Sequence, residues 1–203
     1  MSENFPQIIG LCGDIGSGKD AVADYLVEHY GYRRLSWAEP LKVVCLRVYG
    51  PLGAEPRHFF GSQADKNEEL PGITDPSGTP QTGRKIMEHI GTDGFRFLDR
   101  ATWVKHGIAT QVDAFRDCKW VVSDVRFTNE FEAIHSRDGV VWQTIKLGAE
   151  STRTGHTSDE EWRKLPKDAL VVAPPGRLTF LYQAVDELIF AGGKAHKELL
   201  SGD

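Results

Sequence analysis

Glycines at positions 13 and 18, with Lys19 directly after, fit a spacing of glycine, four residues, glycine, lysine. Residue types in that order suit one task, the cradling of a nucleotide's phosphates. Glycines let consecutive backbone N–H groups converge on phosphate oxygens with no Cβ in the way. The lysine adds a mobile charge for the β- and γ-phosphates, and a helix beginning beside it adds its positive dipole end. The candidate nucleotide ligands are therefore Asp14, Gly16, Ser17, Gly18, Lys19 and Asp20. Asp20 departs from the pattern, because serine or threonine normally follows the lysine and offers its hydroxyl to Mg²⁺. Its carboxylate either serves that ion, directly or through water, or complements the helix N-terminus.

A second constellation is the run Val121-Val122-Ser123-Asp124-Val125-Arg126, continued by Phe127-Thr128-Asn129-Glu130. An apolar strand ending in Asp124 can present a carboxylate to Mg²⁺ or its water shell beside Lys19. Arg126 then brings a cation to the same crevice, where ligands collect at the C-terminal edge of open α/β sheets. The plainer alternative pairs Arg126 with Glu130 at a helix start. A third group spans residues 82–103. Here Arg84, Lys85 and Arg96 suit a second phosphate-bearing substrate, since a planar guanidinium makes paired bonds to phosphate oxygens. Gly91 and Thr92 could lay backbone close to a base or sugar. Trp103 could stack on a base, although tryptophan is more often core. Trp37 and Lys42 are further candidates at the substrate edge.

These groups need a scaffold, and the apolar patterning supplies one. Apolar runs at 7–12, 33–37, 120–124, 140–147 and 169–173 predict strands covered on both faces, as in a parallel sheet. Helices are predicted over 20–29, 41–48, 83–90, 106–115, 129–137 and 178–190. Their alternation points to one doubly wound α/β domain over residues 1–203. Two stretches resist assignment. Residues 61–81 read as a surface excursion or substrate flap, and residues 148–167 as either a closing lid or an ordinary solvated connection. Residues 192–203 read as a frayed tail.

The 203 residues suffice for one such domain with a full core, and a net charge of −5 argues against a nucleic-acid-coating protein. Cys12, Cys45 and Cys118 lie far apart with no metal-type pairing, and are expected to be small buried residues in a reducing compartment. The opening residues lack a basic region followed by an apolar run, so no signal peptide is expected. No stretch approaches the ~18 apolar residues of a membrane span. A cytoplasmic protein with no membrane partner is the expectation.

Taken together, Gly16-Ser17-Gly18-Lys19-Asp20, Arg84 with Gly91-Thr92, the Asp124-to-Glu130 run and His156-Thr157-Ser158-Asp159 resemble the bacteriophage-type deoxynucleoside monophosphate kinases. The likeness runs in order over residues 8–190. It implies a P-loop fold, a parallel sheet flanked by helices, with a mobile lid at 148–167 and a monophosphate-binding region at 61–105. It also implies ATP and Mg²⁺ as cofactors and transfer of the γ-phosphoryl group to a deoxynucleoside 5′-monophosphate. The partner would be that small molecule rather than nucleic acid or membrane; the location would be a host cytoplasm, and the family leaves room for a homodimer. Carried over by motif, Gly16 to Asp20 match the ATP loop. Arg84, Gly91, Thr92, Trp103, Asp124, Arg126 and Glu130 match the monophosphate side. Lys19, Asp124 and Arg126 would be the catalytic set, Asp20 and Asp124 the metal ligands, and Arg153 a lid residue closing over the transferring group. Thr128 stands where the family more often has proline, and Asp159, where glutamate is commoner, inherits no role. The loop ending in Lys-Asp is shared with animal-type phosphomevalonate kinases, so a kinase of another small phosphate ester is a rival reading. A nucleotide-hydrolysing switch is a rival of another class, its GTP version weakened by the lack of an Asn-Lys-x-Asp run.

Overall fold

A computed structural model describes residues 5–148 and 157–194. The chain divides into two compact units, one formed by the residues up to Ser36 and from Gly107 onward, the other by Trp37–His106. The first unit begins with β1 (Ile8–Cys12), α1 (Lys19–Tyr30) and β2 (Tyr32–Leu35). The second holds α2 (Glu39–Tyr49), a 3-10 turn at Gly50–Leu52, α3 (Arg57–Phe60), α4 (Gln63–Lys66) and the hairpin β3 (Glu69–Thr74) and β4 (Pro80–Thr82). There α5 (Gly83–Glu88) runs into a π-helical segment, His89–Arg96, and α6 (Thr102–Gly107) stands at the boundary. The first unit resumes with a π-helical turn at Ile108–Val112, β5 (Lys119–Val122), α7 (Thr128–His135), β6 (Val140–Lys146), α8 (Thr157–Lys164), β7 (Ala169–Ala173) and α9 (Leu178–Phe190).

All five strands of the first unit are parallel, in the order β2-β5-β1-β6-β7. Connections diverge on either side of β1, so the loop after it lies at the topological switch point, where open α/β sheets bind ligands. β1 is buried at every residue. On one face Ile9 and Leu11 pack with Val22 and Leu26 of α1, Leu181 and Val185 of α9, and Trp142 of β6. Each such aliphatic side chain contributes about 1.5–3 kcal/mol by leaving water. The other face is shaped by Gly10. A Cβ there would sit 2.6 Å from Ile134 Cδ1 of α7 and 2.9 Å from Val125 Cγ2, so only glycine lets α7 lie this close to the sheet.

The predicted parallel sheet is present, with the strand ends shifted. β5 stops at Val122, which leaves Asp124 two residues beyond it rather than at its end. The helix expected over 106–115 is the end of α6 and a π-helical turn. Residues 61–81, which resisted assignment in the sequence, contain α4 and most of a hairpin. In β3 the buried Leu70 and Ile73 are three apart, and the pairing shifts register between Leu70 and Thr74, which erases the period-two signal of a strand. Cys12 and Cys45 are buried, whereas Cys118 is partly exposed and accepts a 3.5 Å hydrogen bond from Arg33 Nη1, a correction to the expectation of three buried cysteines. Gly193, read as tail, is packed: its carbonyl accepts from Trp142 Nε1 at 2.8 Å, and a Cβ on it would meet Pro6 at 2.5 Å. Residues 149–156, which include Arg153 and His156, and residues 195–203 lie outside the described residues. No helix among the described residues is long and apolar enough to cross a membrane.

Candidate active site

The buried β1 delivers the chain to Gly13, whose φ of 142° is open to glycine and strained for other residues. Space enforces the same choice. A Cβ at Gly13 would lie 2.6 Å from the Thr144 carbonyl oxygen and 2.8 Å from both Ser17 Oγ and Thr144 Oγ1. The loop then turns through Gly16 to Gly18, the left-handed N-cap of α1, with φ 103°. Gly18 offers no side-chain cap, so the first-turn N–H groups of α1 are left for an anion. Lys19 curls back over the loop, its Nζ donating to the carbonyls of Gly13 at 2.8 Å and Asp14 at 2.7 Å. Burial first, then the charge of Arg126, lowers the pKa of the Lys19 ammonium below the usual lysine range, against the opposing pull of Asp20 and Asp14. A phosphate would relieve both costs, since it replaces the lost hydration and screens one cation from the other.

Asp124 and Arg126 meet Lys19 across one cleft, lined by Gly13, Asp14, Ile15, Lys19, Asp124, Val125, Arg126 and Trp162. Asp124 accepts a 2.7 Å hydrogen bond from Ser36 Oγ at the end of β2. The turn bearing Arg126 is pinned by Glu130, a carboxylate only 3% exposed, which accepts from the N–H groups of Arg126 at 2.7 Å and Phe127 at 3.1 Å. Glu130 thus holds main chain where sequence alone suggested either substrate or the Arg126 side chain. On the far side of the cleft, α8 supplies the buried Trp162 and then Arg163, which forms an ion pair with Asp14 and lies 4.6 Å over the Trp162 ring. Neither residue carries a motif; the polar composition of 148–167 was the sole signal for Arg163. Ser17, read as a nucleotide ligand, is buried with its Oγ 2.6 Å from Thr144 Oγ1.

Asp20 does not line this cleft. It is exposed and faces β2, where Arg34 Nη2 lies 3.4 Å from its carboxylate and donates to its carbonyl at 2.9 Å. Among the described residues no cluster of three or more His, Cys, Asp or Glu could hold a metal by itself. A single carboxylate, Asp124, nonetheless suits Mg²⁺, which takes one or two protein carboxylates and fills its shell with water and substrate phosphates.

The remaining candidates belong to the second unit. Arg84 Nε donates to Asn67 Oδ1 at 3.1 Å and its Nη2 to Gln63 Oε1, with Glu88 3.9 Å away. Gly91 is pressed against Leu41, whose Cδ2 would be 2.6 Å from an added Cβ. Trp103 is buried, tilted on Phe95 at 4.9 Å, and its Nε1 donates to the Gly91 carbonyl at 3.4 Å. Trp37 is buried too, Lys42 Nζ lies 5.7 Å over the Phe60 ring, and Thr92 is half-buried in the π-helical segment.

No protein-family model matches the chain. Two solved structures are similar to it: TT1252 from Thermus thermophilus, at 16% identity and a TM-score of 0.49, covering 94% of this chain and 100% of that one, and dephospho-CoA kinase from Campylobacter jejuni, at 13% and 0.42, covering 90% and 95%. A curated relative from Acanthamoeba polyphaga mimivirus, described as a "putative deoxynucleotide monophosphate kinase", is 31% identical over 179 residues, 81% of this chain and 86% of the relative. With that degree of identity along most of both sequences, the chain belongs to the deoxynucleotide monophosphate kinase family.

Proposed function

We propose that the protein transfers the γ-phosphoryl group of ATP to a deoxynucleoside 5′-monophosphate, yielding ADP and the diphosphate. The observation that carries this reading is the single cleft in which Lys19, Asp124 and Arg126 converge beside the loop of Gly13 to Gly18. Phosphoryl transfer asks little covalent chemistry of a protein; it asks for in-line placement and for cations around the moving group. Lys19 binds the β- and γ-phosphates, exchanging its two carbonyl partners for phosphate oxygens. Arg126 holds the acceptor phosphate, on a turn that Glu130 keeps in register. Asp14 holds Arg163 beside the loop, a third cation for the transferring group. Acceptor phosphate oxygens are anionic at neutral pH, so no general base is required. Asp124 would hold Mg²⁺, which would supply further charge neutralisation. Arg84, Gly91 and Thr92 keep the acceptor-side role that the motif implies, the region 61–105 being the monophosphate-binding part of one kinase domain.

The test is ADP release from Mg²⁺-ATP across all deoxynucleoside and ribonucleoside monophosphates, with Lys19→Ala as control. ADP that appears with particular deoxynucleotides and is lost in the variant supports the reading. ADP formed without an acceptor makes the protein a hydrolase or switch, and turnover with a non-nucleotide phosphate ester alone makes it a different kinase.

A further inference from the structure

We infer that Thr144, on β6, is a positioning residue for the nucleotide loop, acting through the Ser17 hydroxyl. Thr144 is 1% exposed and lies 127 residues along the chain from Ser17, yet the two side-chain oxygens are 2.6 Å apart. Thr144 Oγ1 also donates to the Cys12 carbonyl at 3.4 Å. With that proton directed to Cys12, the Ser17 O–H is the donor to Thr144, giving a relay from Ser17 through Thr144 to the end of β1. The loop is seated on the same residue from its other end, because the space beside Gly13 is filled by the Thr144 carbonyl and hydroxyl. Both ends of the phosphate cradle are therefore referenced to one threonine of the neighbouring strand. The Ser17 proton is spent inside the protein, so the hydroxyl sets the loop's shape while main-chain N–H groups face the ligand. A buried hydroxyl that loses its partner bears its full desolvation cost, and the loop relaxes to recover a bond elsewhere.

The inference rests on the loop binding ATP, so the experiment begins with binding. ATP affinity is measured by calorimetry on wild type, Lys19→Ala, Thr144→Val, Thr144→Ser, Ser17→Ala and the Ser17→Ala/Thr144→Val double variant, together with KM for ATP and for the monophosphate and with Tm. Wild-type protein that fails to bind ATP refutes the functional reading itself. Given wild-type binding, Thr144→Val is expected to weaken ATP about tenfold with the monophosphate KM unchanged, and Thr144→Ser to restore it. The double variant should be no worse than either single one, because both delete the same bond. Thr144→Val with wild-type ATP affinity and only a lowered Tm overturns the inference, since that is what a purely structural threonine gives. Multiplying effects in the double variant overturn it as well. Should Thr144→Val not fold, Ser17→Ala removes the bond from the loop side, and unchanged ATP affinity there is equally fatal.

Discussion

The two units treat their chemistry-bearing residues in opposite ways. In the first, Lys19 at the start of α1 and Asp124 and Arg126 on the loop after β5 line one cleft, and the Glu130 carboxylate that pins the Arg126 turn is buried and bonded. In the second, the residues that drew notice for their chemistry are largely engaged in the unit's own structure. Trp103 closes a small aromatic contact and anchors Gly91, while Arg84 is bonded to Asn67 and Gln63. A phosphate loop must be rigid before its ligand arrives, because electrostatic stabilisation depends on prior orientation. A region that receives an acceptor can instead exchange internal partners for the ligand, as the exposed Arg84 bonds would allow.

The sharpest way to break this contrast is Lys19→Ala, expected to lower kcat by about a thousandfold or more with the fold intact. Steady-state kinetics beside circular dichroism decide it, and near-normal turnover would remove Lys19 from the chemistry. Gly13→Ala attacks the same loop through geometry. Its φ of 142° and the 2.6 Å approach to the Thr144 carbonyl should cost ~1–3 kcal/mol of stability and most of the ATP affinity, read from denaturant melts and calorimetry. Arg126→Ala should reduce kcat/KM for the monophosphate by roughly ten- to a hundredfold and leave ATP affinity alone; unchanged acceptor kinetics would mean that the acceptor phosphate sits elsewhere. Trp103→Phe should lower stability by about 1 kcal/mol through its lost hydrogen bond with kinetics unmoved. A tenfold rise in acceptor KM would instead make the second unit's tryptophan a substrate contact, and the contrast between the units would narrow.

The smallest effect expected is one of pH. Lys19 is held below the unfolded lysine value of about 10.4, so between the two values the unfolded chain binds more protons and stability rises with pH. Lys19→Met should flatten that rise in the difference between the two proteins' stability curves. A difference that falls with pH across that window would show that the folded protein raises the lysine pKa.

Legibility in the sequence followed the same division. The loop from Gly13 to Lys19 could be read because backbone geometry, phosphate charge and helix start constrain adjacent residues. Asp124 and Arg126 could be read because they follow an apolar strand. Arg163 and Trp162 could not, since what brings them to Asp14 is the course of a chain 149 residues along, and neither belongs to a local pattern. Thr144 left no signal of its own, being one of three polar residues in β6 beside Gln143 and Lys146. The β3–β4 hairpin stayed hidden for a local reason, because Pro71 and Gly72 stand between its two buried residues where alternation should be.

Gly10 shows how little material fixes the spacing of a cleft. The volume that its missing methyl would fill is taken by Val125, the residue between Asp124 and Arg126, and by Ile134 of the helix behind them. The gap between the phosphate loop and the arginine turn is therefore gauged by one absent carbon at the centre of the sheet. An alanine there would act as a shim, moving the Arg126 side of the cleft outward by a fraction of an ångström while leaving every charged group present, and the proposed in-line transfer would be sensitive to displacements of that size.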